Sequence, residues 1–468
     1  MRYLKRIALG ALLSCASAAH AYGEGTDVVY RFGSTDGQVH GRIAFGPDGN
    51  LYGTTEFGGA SDRGTVFKVT PQGAYTRLVD FDGSNGAFPS PTLVLGDDGN
   101  FYGTTYGFNV GPGTAFRVTP NGVLTTLHTF SGGDGVSSGV LVRGQDGTIY
   151  GVGGKLYSID ASGHFQIVTD LSPSLGAVPD VIVGSDGALY GAGGIPAWPY
   201  SVVFSLVPSP NSTLQLLHQF DGSRSTGAWT YVGVAEAKDG YLWGCTSGSA
   251  GHDSIDGTIY RVRPDGTGFQ IVRDLGYGSY CGAQLLRAGD DLYGAYITEV
   301  WTTLLVRIKP DGTFVQLSDV NIDGGITLSP DGTMYAAASA YRNNQIIRLH
   351  RPTDLVAKGE YTVAPVAGKV TFNPQGTLSD AVTHAGVAGR KIYFTTNKGK
   401  EICVGYTDAT GFAKCKATLL GHADEFTGGR VVARFADDGT YGATSAAAPL
   451  ICVGTVCAPP ALPKVTTP

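Results

Sequence analysis

One pentapeptide in the chain has the spacing of a serine nucleophile motif. Gly135-Val136-Ser137-Ser138-Gly139 fits the pattern G-x-S-x-G, in which a serine on a sharp turn between a strand and a helix attacks an ester or amide carbonyl. Here a glycine-rich loop precedes the motif, and the strand-like run Val140-Leu141-Val142 follows it. Because these flanking elements do not suit a nucleophile, we interpret the match as a coincidence and predict no catalytic residue.

Aspartates recur at equivalent places along the chain. They are Asp48, Asp98, Asp146, Asp186, Asp239 and Asp331. A ring of carboxylates is one interpretation, but Asp before Gly also stabilises a tight turn by accepting hydrogen bonds from its own backbone. Since a residue repeated in every unit is typical of a structural role, we favour the turn. We predict no metal site and no cofactor; calcium binding stays open, although the Asp/Asn series of an EF-hand loop is missing from the sequence.

Aromatic and charged side chains are concentrated in the loops that differ between the repeated units. The predicted ligand-binding residues are Phe57, Arg63, Tyr106, Trp198, Tyr200, Arg224, Trp229, Tyr280, Trp301 and Tyr341. Glu56, Phe88 and Phe108 belong to the same loops. Such side chains suit stacking against sugar rings or a protein-binding hot spot. The alternative is that the loop aromatics only cover one end of the fold.

The aspartates are part of a longer repeated phrase. Asp48-Gly49-Asn50-Leu51-Tyr52-Gly53 returns as Asp98-Gly99-Asn100-Phe101-Tyr102-Gly103 and, less closely, five more times. The aromatic residue of the phrase stands at positions 52, 102, 150, 190, 243, 293 and 335, with 40–53 residues between successive copies. A period of this length predicts one supersecondary unit stacked many times.

Each unit has the pattern of four short antiparallel strands. In the second unit, strand-like runs at 92–95, 100–105, 113–118 and 123–130 are separated by turns rich in Asp, Gly, Asn and Pro. Four strands in about 45 residues are typical of a propeller blade. Seven phrases therefore predict an all-β, seven-bladed β-propeller at 22–352. Six or eight blades are the alternative, because the third and fourth units are short.

The seventh unit lacks a fourth strand of its own. Its pattern stops after the run Gln345 to His350, whereas residues 27–32, near the N-terminus, resemble the outer strand 76–81 of the first unit. We predict that the N-terminal strand completes the last blade, because this pairs an otherwise open sheet edge.

The first unit resembles a known bacterial repeat. The segments Asp48 to Thr55, Gly58-Gly59 and Gly64 to Pro71 are similar to the GloVer tandem repeat of exported bacterial proteins. The similarity is close over residues 26–130 and weaker afterwards. It implies export and a propeller-like array, and it implies no particular activity or catalytic residue.

The N-terminus has the features of a signal peptide. Arg2, Lys5 and Arg6 precede the apolar run 7–13, and Ala19-His20-Ala21 fits a signal-peptidase site, so we predict a signal peptide at 1–21. The alternative is a lipobox, Leu12 to Cys15, that would anchor the chain through a lipid on Cys15. The predicted location is secreted, periplasmic or extracellular, and no apolar run after the signal peptide is long enough to span a membrane.

The net charge bears on a nucleic-acid partner, and the number of cysteines bears on disulfide bonds. The formal net charge is −6, and it falls to −9 once the three basic residues of the signal peptide are removed, which argues against a nucleic-acid partner. Six cysteines remain after Cys15, and an even number in an exported chain favours disulfides over metal binding. Their proximity in sequence suggests the pairs Cys245–Cys281, Cys403–Cys415 and Cys452–Cys457.

A different pattern begins after the repeats. We predict a linker at 353–360, a β-sandwich at 361–450 and a tail at 451–468, because short strand-like runs follow one another without the repeat period. Gly389-Arg390, Thr407 to Ala413 and Ala433 to Gly439 are similar to segments of the immunoglobulin-like modules of bacterial surface proteins. That resemblance implies a spacer or an adhesive unit.

These features together predict a non-enzymatic exported protein. It would bind a polysaccharide or a surface protein through the loops of one propeller face, and we predict a monomer. The main alternative is an extracellular lyase or hydrolase in which Asp62, Asp253 or Glu299 performs acid–base catalysis on a polysaccharide. A structural component of the envelope, with no small ligand, is a third hypothesis.

Overall fold

Strands are almost the only regular secondary structure of this protein, as seen in a computed structural model. The structure describes residues 26–39, 41–131, 134, 140–152, 155–171, 178, 180–195, 198–210, 212–223, 229–230, 232–246, 257–276, 279–298, 303–319, 322, 325–338, 344–363, 369–396, 399–420 and 430–452. Within these residues, the repeated part of the chain forms seven small antiparallel sheets, and the C-terminal part forms one larger sheet.

The strands follow the repeated phrases. Strand β1 is Thr26–Arg31. Sheet 1 contains β2 (Ala44–Phe45), β3 (Leu51–Thr55), β4 (Thr65–Val69) and β5 (Tyr75–Asp80). Sheet 2 contains β6 (Val94–Leu95), β7 (Phe101–Thr104), β8 (Thr114–Val118) and β9 (Leu124–Thr129), and a short 3-10 helix, Phe108–Val110, lies between β7 and β8. Sheet 3 contains β10 (Val140–Arg143), β11 (Ile149–Val152), β12 (Lys155–Ile159) and β13 (Phe165–Asp170).

The next four sheets keep the same plan. Sheet 4 contains β14 (Asp180–Val183), β15 (Leu189–Ile195), β16 (Trp198–Leu206) and β17 (Gln215–Gln219). Sheet 5 contains β18 (Ala235–Glu236), β19 (Leu242–Thr246), β20 (Thr258–Val262) and β21 (Gln270–Asp274). Sheet 6 contains β22 (Tyr280–Cys281), β23 (Leu286–Ala288), β24 (Asp291–Ile297), β25 (Thr303–Ile308) and β26 (Phe314–Asp319). Sheet 7 contains β27 (Ile326–Leu328), β28 (Met334–Ala338) and β29 (Gln345–Leu349).

The N-terminal strand belongs to the last of these sheets. Strand β1 pairs antiparallel with β29, in the register Thr26 opposite Leu349 and Arg31 opposite Gln345, and gives sheet 7 its fourth strand. The Tyr30 ring stacks on Tyr75 of sheet 1 at a centroid distance of 4.6 Å. The first and last sheets are therefore in direct contact through the strand predicted at 27–32.

The glycine that ends each phrase makes room for an aromatic ring. Gly53 on β3 lies opposite Phe67 on β4, and a Cβ atom at Gly53 would stand 2.5 Å from the tip of that ring. Gly103 and Phe116 repeat the arrangement in sheet 2, with a corresponding distance of 2.4 Å. Any larger residue would clash, so the Tyr-Gly step places a fully buried ring at the centre of each of these sheets.

Neighbouring sheets bury their apolar faces against each other. Tyr52 and Val66 of sheet 1 pack with Phe101 and Phe116 of sheet 2 in one buried cluster. Their burial removes apolar area from water, which contributes about 25 cal/mol per Å². The first strands of the sheets also meet: β2 contacts β6 and β27, β10 contacts β6 and β14, and β23 contacts β18 and β27.

The C-terminal strands form a separate sheet around their own core. They are β30 (Thr353–Val363), β31 (Lys369–Phe372), β32 (Gln375–Asp380), β33 (Lys391–Thr396), β34 (Glu401–Tyr406), β35 (Phe412–Lys414), β36 (Ala417–Leu420), β37 (Arg430–Phe435) and β38 (Thr444–Cys452). Phe372, Leu378, Phe394 and Val431 are buried in the core that these strands share.

The predicted linker at 353–360 is wrong. These residues form most of β30, which pairs antiparallel with β32 over Thr353 to Lys358 and parallel with β38 over Gly359 to Tyr361. Burial alternates along the strand, with Thr353 and Leu355 buried and Val356 exposed, but the sequence does not alternate polar and apolar residues, so the strand was hidden.

The C-terminal sheet is docked on sheets 6 and 7 by buried charges. Arg307 of β25 lies 2.5 Å from the Asp291 carboxylate and donates two hydrogen bonds, of 2.9 and 2.7 Å, to Asp354 of β30. The Arg307 side chain is 5% exposed. Next to it, Arg351 lies 2.9 Å from Asp380. A buried guanidinium needs such partners, because removal of one of them leaves a buried charge without compensation.

Candidate ligand-binding site

The repeated aspartates hold turns, as the sequence predicts. Asp48 accepts hydrogen bonds from the Asn50 amide at 3.2 Å and from the Tyr52 hydroxyl at 2.7 Å. Burial raises the pKa of Asp48, but the hydrogen bonds from Tyr52 and Asn50 outweigh it and bring the pKa below the ordinary value. The hydroxyls of Tyr102, Tyr150 and Tyr190 bind Asp98, Asp146 and Asp186 in the same way.

An aromatic surface forms where the loops of sheets 1 and 2 meet. The rings of Phe57 and Phe88 are 5.6 Å apart, those of Phe88 and Phe108 5.4 Å, and those of Phe108 and Tyr106 5.2 Å, with the last pair nearly parallel. Phe57 is 43% exposed and Phe108 is 60% exposed. Large apolar side chains in such a contiguous exposed group are typical of an interaction site.

A cavity of about 260 Å³ opens beside these rings. Its lining residues are Thr54, Glu56, Pro89, Pro91, Tyr106 and Phe108. We call this cavity, together with the rings of Phe57 and Phe88, the aromatic cleft. It combines apolar ring faces with a hydroxyl group and a carboxylate, which are the groups that a concave small-molecule site requires.

The backbone of the aromatic cleft is held in an unusual conformation. Phe88 has φ 55°, Phe108 has φ 41°, and the nearby Asp62 has φ 52°. Among the described residues other than glycine, one more has a positive φ, His384 between β32 and β33. Positive φ costs an aromatic residue about 1–3 kcal/mol, and such strain is concentrated at functional sites.

Backbone hydrogen bonds keep the strained segment in place. The Phe88 amide donates to the Arg63 carbonyl oxygen at 2.8 Å, and the Tyr106 amide donates to the Phe88 carbonyl oxygen at 2.9 Å. The segment around Phe88 is therefore fixed between the loops of both sheets. The aromatic cleft is preformed, so a ligand would not have to order it.

The charged residues of these loops have different roles. Asp62 accepts a hydrogen bond of 2.8 Å from the Gly58 amide, and Arg63 donates to the carbonyl oxygen of Asp82. Both side chains support the loop backbone. Glu56, in contrast, lines the cavity together with Tyr106 and Phe108, and its negative charge acts on the Tyr106 hydroxyl.

The structure brings together some of the predicted ligand-binding residues. Phe57 and Tyr106 belong to the aromatic cleft, and Arg63 supports it. Trp229 precedes sheet 5, and Tyr280 lies on β22 of sheet 6, so both are on other sheets. Trp198 and Tyr200 lie on β16 of sheet 4. Arg224, Trp301 and Tyr341 lie outside the described residues, as does the segment Gly135 to Gly139.

Glu56, Phe88, Pro89 and Phe108 were not among the predicted ligand-binding residues, although they line or flank the cleft. The sequence places Phe88 and Phe108 in separate repeats, 20 residues apart. The signal that could have found them is Phe88-Pro89, because a phenylalanine before a proline in a Gly/Ser-rich loop has no strand or core to explain it.

Two of the three predicted disulfides are formed. Cys245 of β19 is bonded to Cys281 of β22 and joins sheets 5 and 6, with a Cα–Cα distance of 6.1 Å. Cys403 is bonded to Cys415 in the C-terminal sheet, with a Cα–Cα distance of 6.2 Å. The predicted partner of Cys452, Cys457, lies outside the described residues, as do Cys15 and the predicted signal peptide.

The described residues contain neither a cluster of metal-ligating side chains nor a membrane-spanning helix. No three His, Cys, Asp or Glu side chains there are grouped so that they could hold a metal ion. No helix in the described part of the chain has the length and apolar character required to cross a membrane. Of the acids considered for catalysis, Asp253 and Glu299 lie outside that part.

The first part of the chain matches a known family of repeats. Residues 16–194 match the Gloeobacter/Verrucomicrobia repeat. This segment carries that repeat, as the resemblance of residues 48–71 predicts. The Gloeobacter/Verrucomicrobia repeat therefore includes sheets 1 to 3, the first strands of sheet 4 and the whole aromatic cleft.

The similarities to individual proteins are distant. No curated protein has a significant sequence match to this chain. A functionally unknown protein from Desulfotomaculum acetoxidans DSM 771 is 10% identical with a TM-score of 0.37, covering 78% of this chain and 98% of that one. A post-proline cleaving enzyme from Rickettsia typhi is 9% identical with a TM-score of 0.39, covering 74% and 58%. The PilY1 C-terminal domain of Pseudomonas aeruginosa is 13% identical with a TM-score of 0.28, covering 66% and 82%. Similarities this low support no conclusion about function.

Proposed function

We propose that the seven small sheets are the blades of a seven-bladed β-propeller and that β1 closes the ring. Three observations support this arrangement. The pairing of β1 with β29 joins the first residues to the last sheet. The first strands of sheets 1 and 7 contact each other as neighbouring sheets do. Arg42, before β2, forms a salt bridge of 3.1 Å with Asp180 of sheet 4, as expected for residues that face a common axis.

We propose that this protein binds a glycan in the aromatic cleft and does not cleave it. The observation that carries the proposal is the joint occurrence of exposed rings and strained, tightly held backbone at one cavity. Aromatic faces stack on the apolar faces of sugar rings, and adjacent oxygens accept sugar hydroxyl hydrogens. A cavity of about 260 Å³ has room for one sugar unit of a longer chain.

The glycan is favoured over a protein partner by the shape of the site. A stable protein interface buries about 800 Å² on each side, whereas the aromatic cleft is a narrow concavity lined by six residues. Most glycoside hydrolases use a pair of Asp or Glu side chains at a defined spacing. Glu56 lines the cavity alone among the acids, and Asp62 is engaged by the Gly58 amide.

Export of the protein is part of the same proposal. Disulfides persist in oxidising compartments, and two of them are formed in this chain. We propose a secreted, periplasmic or extracellular location. The C-terminal sheet would then be the immunoglobulin-like spacer that the sequence predicts, docked on the propeller instead of being joined by a free linker.

An array of bacterial and plant polysaccharides, scored for both retention and cleavage, tests the proposed function. We expect retention of at least one glycan without release of products. Phe108→Ala should weaken its binding about tenfold, equivalent to about 1.4 kcal/mol. Val123→Ala, which removes another exposed apolar side chain of sheet 2, should leave binding unchanged. Release of oligosaccharides, or unchanged binding by Phe108→Ala, would contradict the proposal.

A further inference from the structure

We propose that the aromatic cleft selects glycans that carry a free, positively charged amino group, and that Glu56 determines this preference. The predicted ligand class is thus a chain containing N-deacetylated hexosamine units. This inference rests on the proposed glycan-binding function and narrows it to one class of sugar.

The carboxylate of Glu56 has no basic partner among the described residues. Glu56 lines the cavity, and in the described part of the chain no Lys, Arg or His forms a salt bridge with it. Arg63, the basic residue of the same loop, donates to the Asp82 carbonyl oxygen instead. A ligand that covers Glu56 removes water from its carboxylate. An ammonium group compensates for that loss better than a neutral hydroxyl does, and a uronate carboxylate would add repulsion.

A set of rings lies around the same space. Phe57, Phe88, Tyr106 and Phe108 present a nearly continuous series of ring contacts of 5.2–5.6 Å. The face of an aromatic ring is electrically negative and attracts a cation by about 0.5–2 kcal/mol, depending on desolvation. Several rings beside one carboxylate are the combination that recognises substituted ammonium groups.

The negative charge of Glu56 acts on the hydroxyl group of Tyr106, on the same cavity. Burial raises the pKa of the Tyr106 hydroxyl, a hydrogen bond with Ser90 lowers it, and the negative charge of Glu56 raises it again, with a net increase. The carboxylate and the hydroxyl are therefore close enough to interact electrostatically. An amino group bound between them would have an acceptor on one side and ring faces on the other.

Titration calorimetry with three tetrasaccharides of the same β-1,4 backbone tests the inference. The probes are the tetramer of glucosamine, the tetramer of N-acetylglucosamine and cellotetraose, at pH 6 and low salt. We expect the wild-type protein to bind the glucosamine tetramer at least tenfold more tightly than the other two. Glu56→Gln keeps the shape of the side chain and should lower only the affinity for the glucosamine tetramer, by about tenfold. Glu401→Gln, which removes an exposed carboxylate of the C-terminal sheet, is the matched control.

The outcomes separate the inference from the proposed function. Equal binding of all three tetramers, with no effect of Glu56→Gln, overturns charge selection but leaves glycan binding intact. Tighter binding of the N-acetylglucosamine tetramer or of cellotetraose also overturns charge selection and leaves glycan binding intact. If no glycan of the polysaccharide array and none of the tetramers binds, both the inference and the proposed function are overturned.

Discussion

At the scale of single residues, two buried tyrosines are expected to lower the stability of the repeated region. Tyr157 and Tyr260 occupy the central positions that Phe67, Phe116 and Phe204 fill in other sheets, each opposite the glycine of its phrase. Both hydroxyls are buried without a hydrogen-bond partner among the described residues. Burial alone raises the pKa of both tyrosines.

Replacing either tyrosine with phenylalanine should stabilise the protein. An unsatisfied buried hydroxyl costs about 1–3 kcal/mol, so we expect Tyr157→Phe and Tyr260→Phe each to raise the free energy of unfolding by about 1 kcal/mol. Chemical denaturation measures this change. Phe67→Tyr, the reverse change in sheet 1, should destabilise by a similar amount. A loss of stability in Tyr157→Phe would show that its hydroxyl has a partner.

Two histidines at equivalent positions have different surroundings. His128 and His218 each stack on a phenylalanine, Phe165 and Phe269, with centroid distances of 3.7 and 3.5 Å. His128 also lies 3.0 Å from the Asp134 carboxylate. The Nε2 atom of His218 is buried without a hydrogen-bond partner in the described part of the chain, and burial lowers the pKa of His218 to about 4.

The low pKa of His218 predicts an acid-sensitive stability. In the unfolded chain a histidine has a pKa of about 6.5, so below that pH the unfolded state binds more protons than the folded state. The contribution of the neutral His218 to the free energy of unfolding should be fully present above pH 6.5. It should decrease as the pH falls toward 4. His218→Phe should reduce this decrease when unfolding is followed in urea at several pH values. His128→Phe leaves His218 in place and should preserve it. An unchanged pH profile in His218→Phe would contradict the assignment.

At the scale of strands, local sequence patterns were sufficient to predict most strands and turns of the repeated region. Asp48-Gly49 and its copies identify the tight turns, and the Tyr-Gly step identifies the strand that carries a buried ring on its neighbour. Strands β22 and β23 both pair with β24. The sequence could not predict two short strands here, because no turn signal marks the break at 282–285. It also concealed β30, whose parallel partner β38 is distant in sequence.

The N-terminal strand is expected to be essential for sheet 7 and its contact with sheet 1. Without β1, the edge of β29 is unpaired, and the contacts of Tyr30 with Tyr75 and of Phe32 with Phe67 are lost. A chain that starts at residue 33 should lose at least about 2 kcal/mol relative to one that starts at residue 22. Thermal unfolding of the two purified chains measures the difference. A chain that starts at residue 26 retains β1 and should match the longer one. Equal melting temperatures for all three would show that β1 contributes little.

At the scale of the whole molecule, the site was harder to predict than the fold. The repeat period indicates that loops lie at one end of the sheets, but the distance between two loops depends on how neighbouring sheets pack. Phe57, Phe88 and Phe108 come from three loops in two units, and their contact follows from the packing of Tyr52 against Phe101 far below them in the same pair of sheets. A sequence pattern within one unit carries no information on such a contact.

The contact between the repeated region and the C-terminal sheet should make them unfold as one unit. Asp354 binds the buried Arg307 through two hydrogen bonds, and it also lies 3.4 Å from the half-exposed Lys309. Asp354→Ala leaves a buried guanidinium with Asp291 as its remaining acidic partner, which should cost about 3 kcal/mol. In calorimetry we expect one transition for the wild type and two for Asp354→Ala, because the C-terminal sheet loses its main polar attachment. The control is Lys309→Ala, which removes only a partly exposed ion pair with Asp354. It should change the free energy of unfolding by less than about 1 kcal/mol. If the two variants unfold alike, Arg307 does not couple the two parts of the chain, and the C-terminal sheet is a spacer that moves independently of the aromatic cleft.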